Sequence, residues 1–148
     1  RDIFLIFIMN PTSKFQSVML IDDSEIDMLV NRKMIESSSI SQHILIQSGA
    51  RSAIEFLRNV EELNSTVSEA KKLIPEIIFL DINMPIMDGF QFLDEFEKFS
   101  DLVKSSTKIV MLTSSSDPSD LNRAKKYKYV TNYLTKPLSF DNLSVLAE

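Results

Sequence analysis

Five side chains in this 148-residue chain could do chemistry together: Asp22, Asp23, Asp81, Thr113 and Lys136. The first four come directly after apolar runs, VMLI before the acidic pair, IIFL before Asp81 and IVML before Thr113, while Lys136 follows the short run Tyr133-Leu134-Thr135. A carboxylate closing a buried run is costly unless something pairs with it. Converging carboxylates also repel: two unit charges ~4 Å apart cost about 4 kcal/mol at an effective dielectric of about 20. A cation therefore has to sit among them. Lys136 is one candidate, and a hard divalent ion such as Mg2+, which takes carboxylate and phosphate oxygens, is the other. With an ion bound, the set suits phosphoryl transfer, which needs positioning and charge neutralisation more than covalent help. Asp81 is best placed as nucleophile. Asp22 and Asp23 would hold the metal, and Thr113 and Lys136 the phosphoryl oxygens.

Such a convergence needs elements that bring five separated positions to one edge. Strands are predicted at Val18–Ile21, His43–Gln47, up to Asp81, Lys108–Thr113 and around Tyr129–Leu134. Between them lie amphipathic stretches. Ser24 caps a first helix whose Ile26, Val30 and Met34, with Leu29 beside them, are expected to face the core. Ala53, Phe56, Leu57 and Val60 mark a second helix, which runs into a polar stretch over residues 61–72. Phe92, Phe96 and Phe99 with Leu93 mark an aromatic third one. Asp117, Pro118 and Asp120 start a fourth, extending to about Tyr127, and Ser139 opens a fifth. Five strands alternating with five helices read as a doubly wound α/β domain, a five-stranded parallel sheet with helices on both faces, flavodoxin-like. The near-continuous apolar strands agree, since such a sheet is covered on both sides. Ligands in these sheets sit at the carboxyl ends of the strands where strand order reverses.

Composition narrows the function. The formal net charge of −5 argues against nucleic-acid binding, which rests on a basic footprint. Two glycines, Gly49 and Gly89, cannot build a dinucleotide fingerprint or a Walker-type phosphate loop. The absence of cysteine removes thiolate metal sites and thiol nucleophiles. The longest apolar run, Ile3–Met9, is far short of the roughly 20 residues that cross a bilayer, so no membrane association is expected. Residues 1–16 read as an N-terminal extension, with 1–8 as non-native sequence ahead of Met9, and residues 17–148 as one domain.

In this order, LIDDS, LDINMPIMDG, LTSS and YLTKP resemble the four signatures of a response-regulator receiver domain of two-component signalling, over roughly Ser17 to the C-terminus. The resemblance implies a stand-alone cytoplasmic phosphoacceptor. Asp81 would take a phosphoryl group from the phosphohistidine of a histidine kinase or phosphotransfer protein. Mg2+ would be held by Asp22, Asp23, Asp81 and the backbone carbonyl of Asn83. Thr113 matches the switch hydroxyl, Lys136 the lysine and Tyr133 the switch aromatic. The implied protein is not an enzyme beyond its own phosphorylation and dephosphorylation. It would signal to a downstream protein through the fourth helix, fifth strand and fifth helix, with dimerisation on phosphorylation left open. Two features depart from the pattern: Lys128-Tyr129-Val130 stands where a Gly-Ala pair is usual, and the last helix is short.

Duller explanations exist for each residue singly. The acidic pair could cap a helix, Thr113 could belong to a polar loop and Lys136 to a solvated turn. Capping does not explain Asp81. His43, the lone histidine, starts a strand and reads as a surface residue, and Arg123, Lys125, Lys126 and Lys128 read as a solvated face. A haloacid-dehalogenase-type phosphohydrolase would carry a second acid two residues after its nucleophile, where this chain has Asn83. A receiver-like binding module that is never phosphorylated is the other alternative.

Overall fold

A computed structural model describes residues 13–114 and 117–148. The expected extension lies mostly outside the described residues, as does Ser115. Five strands, β1 (Phe15–Ile21), β2 (Ser41–Gln47), β3 (Ile77–Asp81), β4 (Lys108–Thr113) and β5 (Val130–Thr135), form one all-parallel sheet in the order β2-β1-β3-β4-β5. The doubly wound prediction holds. The chain leaves β1 toward one edge and then builds from β3 toward the other, so strand order reverses between β1 and β3. That is where a crevice opens at the carboxyl ends.

The connections are α1 (Glu25–Ser38), α2 (Ala50–Asn64), a 3-10 turn over Ser68–Leu73, α3 (Gly89–Phe96), α4 (Asp101–Ser106), α5 (Pro118–Ala124) and α6 (Phe140–Ala147). The polar stretch after Val60 resolves into the end of α2 and the 3-10 turn. Helix α4 is an addition to the expected set: Ser100 caps it by accepting from the Val103 backbone N–H. The fourth predicted helix is observed as α5, which stops at Ala124, shorter than its sequence pattern.

Both faces of the sheet are covered by apolar side chains, as its uninterrupted apolar strands require. Met19, Ile21, Leu57, Phe92, Phe96 and Met111 pack on one side. Val18, Leu20, Ile35, Phe79, Leu112 and Leu143 pack on the other. The aromatic face of α3 is buried as expected. Phe96 stacks with Phe92 at 6.1 Å and meets Tyr129 edge-on at 5.7 Å between ring centroids. The ammonium groups of Lys104 and Lys128 stand over the Tyr129 ring, so the bulky replacement of the usual small pair is absorbed by a larger aromatic core and two cation–π contacts.

One expectation fails. The first helix does not bury Ile26, Leu29 and Val30, which are 76%, 58% and 42% exposed. It buries Asn31 and Ile35, with Met28 and Met34 packed partway in. Apolar residues occur on both sides of this helix, so periodicity alone could not choose the inward face. Polar anchors choose it: Asn31 accepts through Oδ1 from the Leu138 backbone N–H at 3.0 Å, and Asp27 reaches the Lys136 ammonium.

Candidate functional site

Strand register places the acids. Ile21 pairs with Leu80, so the next residues, Asp22 and Asp81, emerge side by side at the reversal of strand order. Asp23 follows directly, and one oxygen from each of Asp22, Asp23 and Asp81 lies within 4.8 Å of the others. Asp22 and Asp81 are buried and Asp23 is exposed. Asp22 also bonds locally, accepting from the Ser24 N–H at 2.9 Å through Oδ1, while its Oδ2 accepts from Lys136. The helix cap itself is Ser24, whose side chain accepts from the Asp27 N–H, so Asp22 braces the turn before the helix and also faces Lys136.

Lys136 arrives from the other half of the sheet. Its backbone N–H donates to the Thr113 carbonyl at 2.7 Å, fixing the end of β5 beside the end of β4. Its ammonium lies 2.7 Å from Asp22, 3.0 Å from Asp27 and 3.1 Å from Asp81. Burial alone would pull this lysine down, but hydrogen bonds to Asp22 and Asp27 and the charges of Asp81 and Asp22 outweigh it and hold it above the ordinary lysine range. Asp81 moves the other way from a normal acid. Burial, then the like charge of Asp22, push it from 3.8 to about 6 against the pull of Lys136. One cation is thus shared by three carboxylates, and its pull does not offset the burial of Asp81.

The loop after Asp81 packs closely against the end of its strand. Gly89 starts α3 so close to the strand that a Cβ there would lie 2.7 Å from the Asp81 carbonyl oxygen and 2.9 Å from Ile82 Cα. Asp88 and Gln91 form a reciprocal capping box at the start of the same helix. Between Asp81 and that helix start, Ile86 takes a left-handed φ of 72°, with Met87 N–H donating to the Pro85 carbonyl at 2.7 Å. A β-branched residue rarely accepts that conformation, and it projects 81% exposed beside the site. Asn83 is exposed on this loop.

Thr113 is fully buried at the end of β4, level with Thr135. Tyr133, on the neighbouring strand opposite Met111, is partly buried against the core and turned inward. Burial raises its phenol above the usual range, and the Thr113 hydroxyl acts on it in the opposite sense. The two expected switch residues are therefore adjacent.

Asp27 and Asn31 are the residues that sequence reasoning missed. Four residues apart, they share one face of α1, and both grip the loop Lys136-Pro137-Leu138. Their spacing was visible, but nothing in the sequence said which loop faced that helix. Among the residues set aside, His43 is exposed on edge strand β2. Arg123 is more than solvated, since its guanidinium lies 4.2 Å from the Phe90 ring centroid.

Three carboxylates offering oxygens at this spacing, with a single lysine as counter-charge, have the hard-donor chemistry that Mg2+ or Mn2+ selects. The residues present fit such an ion.

Comparison with known proteins gives the same direction. The chain is 27% identical over 126 residues to the response regulator Rcp1 of Synechocystis, covering 85% of this chain and 80% of Rcp1. A crystal structure of a two-component response regulator from Cytophaga hutchinsonii superposes with a TM-score of 0.77 at 30% identity, over 89% of this chain and 93% of that one. The Mn2+-bound form of Rcp1 superposes with a TM-score of 0.64 at 26% identity, over 89% and 88% of the two chains. The family model for the response regulator receiver domain matches residues 18–148, and the chain belongs to that family, the signalling modules of two-component systems.

Proposed function

We propose that this receiver domain stores a phosphoryl group on Asp81, taken from the phosphohistidine of a histidine kinase or phosphotransfer protein. The observation that carries this reading is the state of Asp81: a buried carboxylate pushed up to about 6, inside an oxygen cluster fit for a metal, with Lys136 at 3.1 Å. Lys136 and a cation held by the cluster supply the counter-charge that an added phosphoryl group needs. A carboxylate oxygen of Asp81 attacks phosphorus, the P–N bond breaks, and its electron pair stays on the imidazole nitrogen, leaving an acyl phosphate. Return to rest needs water to attack phosphorus, releasing inorganic phosphate and the free carboxylate. Asp22, Asp23, Asp81 and the Asn83 carbonyl would hold Mg2+, which supplies positive charge for the phosphoryl oxygens.

Lys136 holds one phosphoryl oxygen and Thr113 another. As Thr113 is drawn toward that group, Tyr133 settles into the space beside it and biases the surface of α5, β5 and α6 toward a downstream protein. The donor docks over the site. Its natural footing is the exposed apolar group Ile26, Leu29 and Val30, on the helix that begins at the acidic pair. Asn83 favours storage over hydrolysis, because a phosphohydrolase of the haloacid-dehalogenase type would need an acid there.

Incubation with acetyl phosphate and Mg2+, followed by intact mass, tests the reading. One phosphoryl adduct is expected on the wild type and none on Asp81→Asn or in EDTA. An unmodified wild type, under conditions that label another receiver, refutes it.

A further inference from the structure

We infer that Asp27 is a positioning residue for Lys136 and sets how the site divides its affinity between cation and phosphoryl donor. The inference rests on the phosphoacceptor reading above. The Lys136 ammonium donates to Asp22 at 2.7 Å and to Asp27 at 3.0 Å, and forms an ion pair with Asp81 at 3.1 Å. Two of those partners belong to the oxygen cluster that suits a metal, and Asp27 does not. When Asp22 and Asp81 turn to a cation and a phosphoryl group, Asp27 is the partner that stays. It therefore holds the ammonium in place through the cycle and cancels part of its charge.

The local structure is built for this. Asp27 and Asn31 stand four apart on α1, one on the Lys136 ammonium and the other on the Leu138 N–H, so that a single helical turn grips both ends of the loop. A cavity of about 340 Å3 lined by Asp27, Val30, Asn31, Ser114, Lys136 and Pro137 reaches this pair from outside. The Asp27 side chain is 44% exposed and that of Lys136 is 9% exposed, so the acid can be altered without opening the core.

Removing the Asp27 charge has two opposite electrostatic consequences. The carboxylate cluster becomes less negative and binds a cation less well. Lys136 becomes more available to phosphoryl oxygens, and an anionic donor is repelled less. A merely structural contribution would weaken both.

The test uses the whole chain with Asp27→Asn, which keeps the shape, and Asp27→Glu, which keeps the charge. Calorimetric titration with Mg2+ and no donor gives the metal affinity, and the acetyl phosphate dependence of labelling at saturating Mg2+ gives the half-saturating donor concentration. For Asp27→Asn we expect the Mg2+ dissociation constant to rise about threefold and the half-saturating donor concentration to fall about threefold, the scale of one partly exposed ion pair. Asp27→Glu should move both back toward wild type. The assignment is overturned if the two constants change in the same direction, if neither changes, or if the glutamate variant behaves like the asparagine one. Absence of labelling in wild type would overturn the phosphoacceptor reading and this assignment with it. A labelled wild type with an indifferent Asp27→Asn overturns the assignment alone.

Discussion

Replacing Asp81 by asparagine should stabilise the metal-free protein. In the folded chain the carboxyl is raised from 3.8 to about 6, by burial first and by Asp22 second. Below the unfolded value both states carry the proton and the residue contributes nothing. Between 3.8 and about 6 the folded state keeps a proton that the unfolded state has released, so stability falls as pH rises. Above about 6 the whole penalty is present, about 3 kcal/mol for a rise of this size. Asparagine keeps the shape and an oxygen for Lys136 but carries no charge to repel Asp22. At pH 7.5 in EDTA, urea denaturation should therefore find Asp81→Asn more stable by up to about 3 kcal/mol, or roughly 6–12 °C in Tm. The gap should shrink steadily on acidification to pH 4. Adding Mg2+ should close it from the other side by stabilising the wild type more than the variant. A variant that is equally or less stable at pH 7.5, or a gap that widens as pH falls, refutes the account of Asp81 as a strained, under-compensated acid.

Other outcomes follow from single contacts. Gly89→Ala puts a Cβ 2.7 Å from the Asp81 carbonyl oxygen; it should cost about 2 kcal/mol or more in denaturation and sharply reduce labelling of Asp81, because α3 must move off the strand end. Asn31→Ala strips the buried Leu138 N–H of its acceptor and should cost about 1–3 kcal/mol in the same assay. Thr113→Ala should still be labelled by acetyl phosphate. However, the shift of the Tyr133 ring resonance on phosphorylation, expected in wild type, should vanish, and a persistent shift would break the proposed coupling.

Much of the molecule could be read from residue order. Apolar runs ending on Asp22, Asp81 and Thr113 predicted buried parallel strands, because a sheet covered on both faces has no polar side to betray it. The alternation of strands with Ser- or Asp-capped helices predicted the crossovers, and Ser24 and Asp117-Pro118 marked helix starts through local chemistry that needs no distant partner. The four strand-end motifs pointed to the receiver family before any contact was known. What the sequence could not decide was rotation and partnership. Helix α1 has apolar residues on two sides, and its inward face was settled by Asp27 and Asn31 bonding to a loop more than 100 residues away in sequence. The pairing of Ile21 with Leu80, which sets Asp22 beside Asp81, is likewise a property of the assembled sheet. Sequence alone named Asp22, Asp23, Asp81 and the lysine, but not Asp27. Tertiary structure determined that one ammonium serves three carboxylates and that Asp81 stays raised despite it, because charge and desolvation depend on distances that only the fold creates.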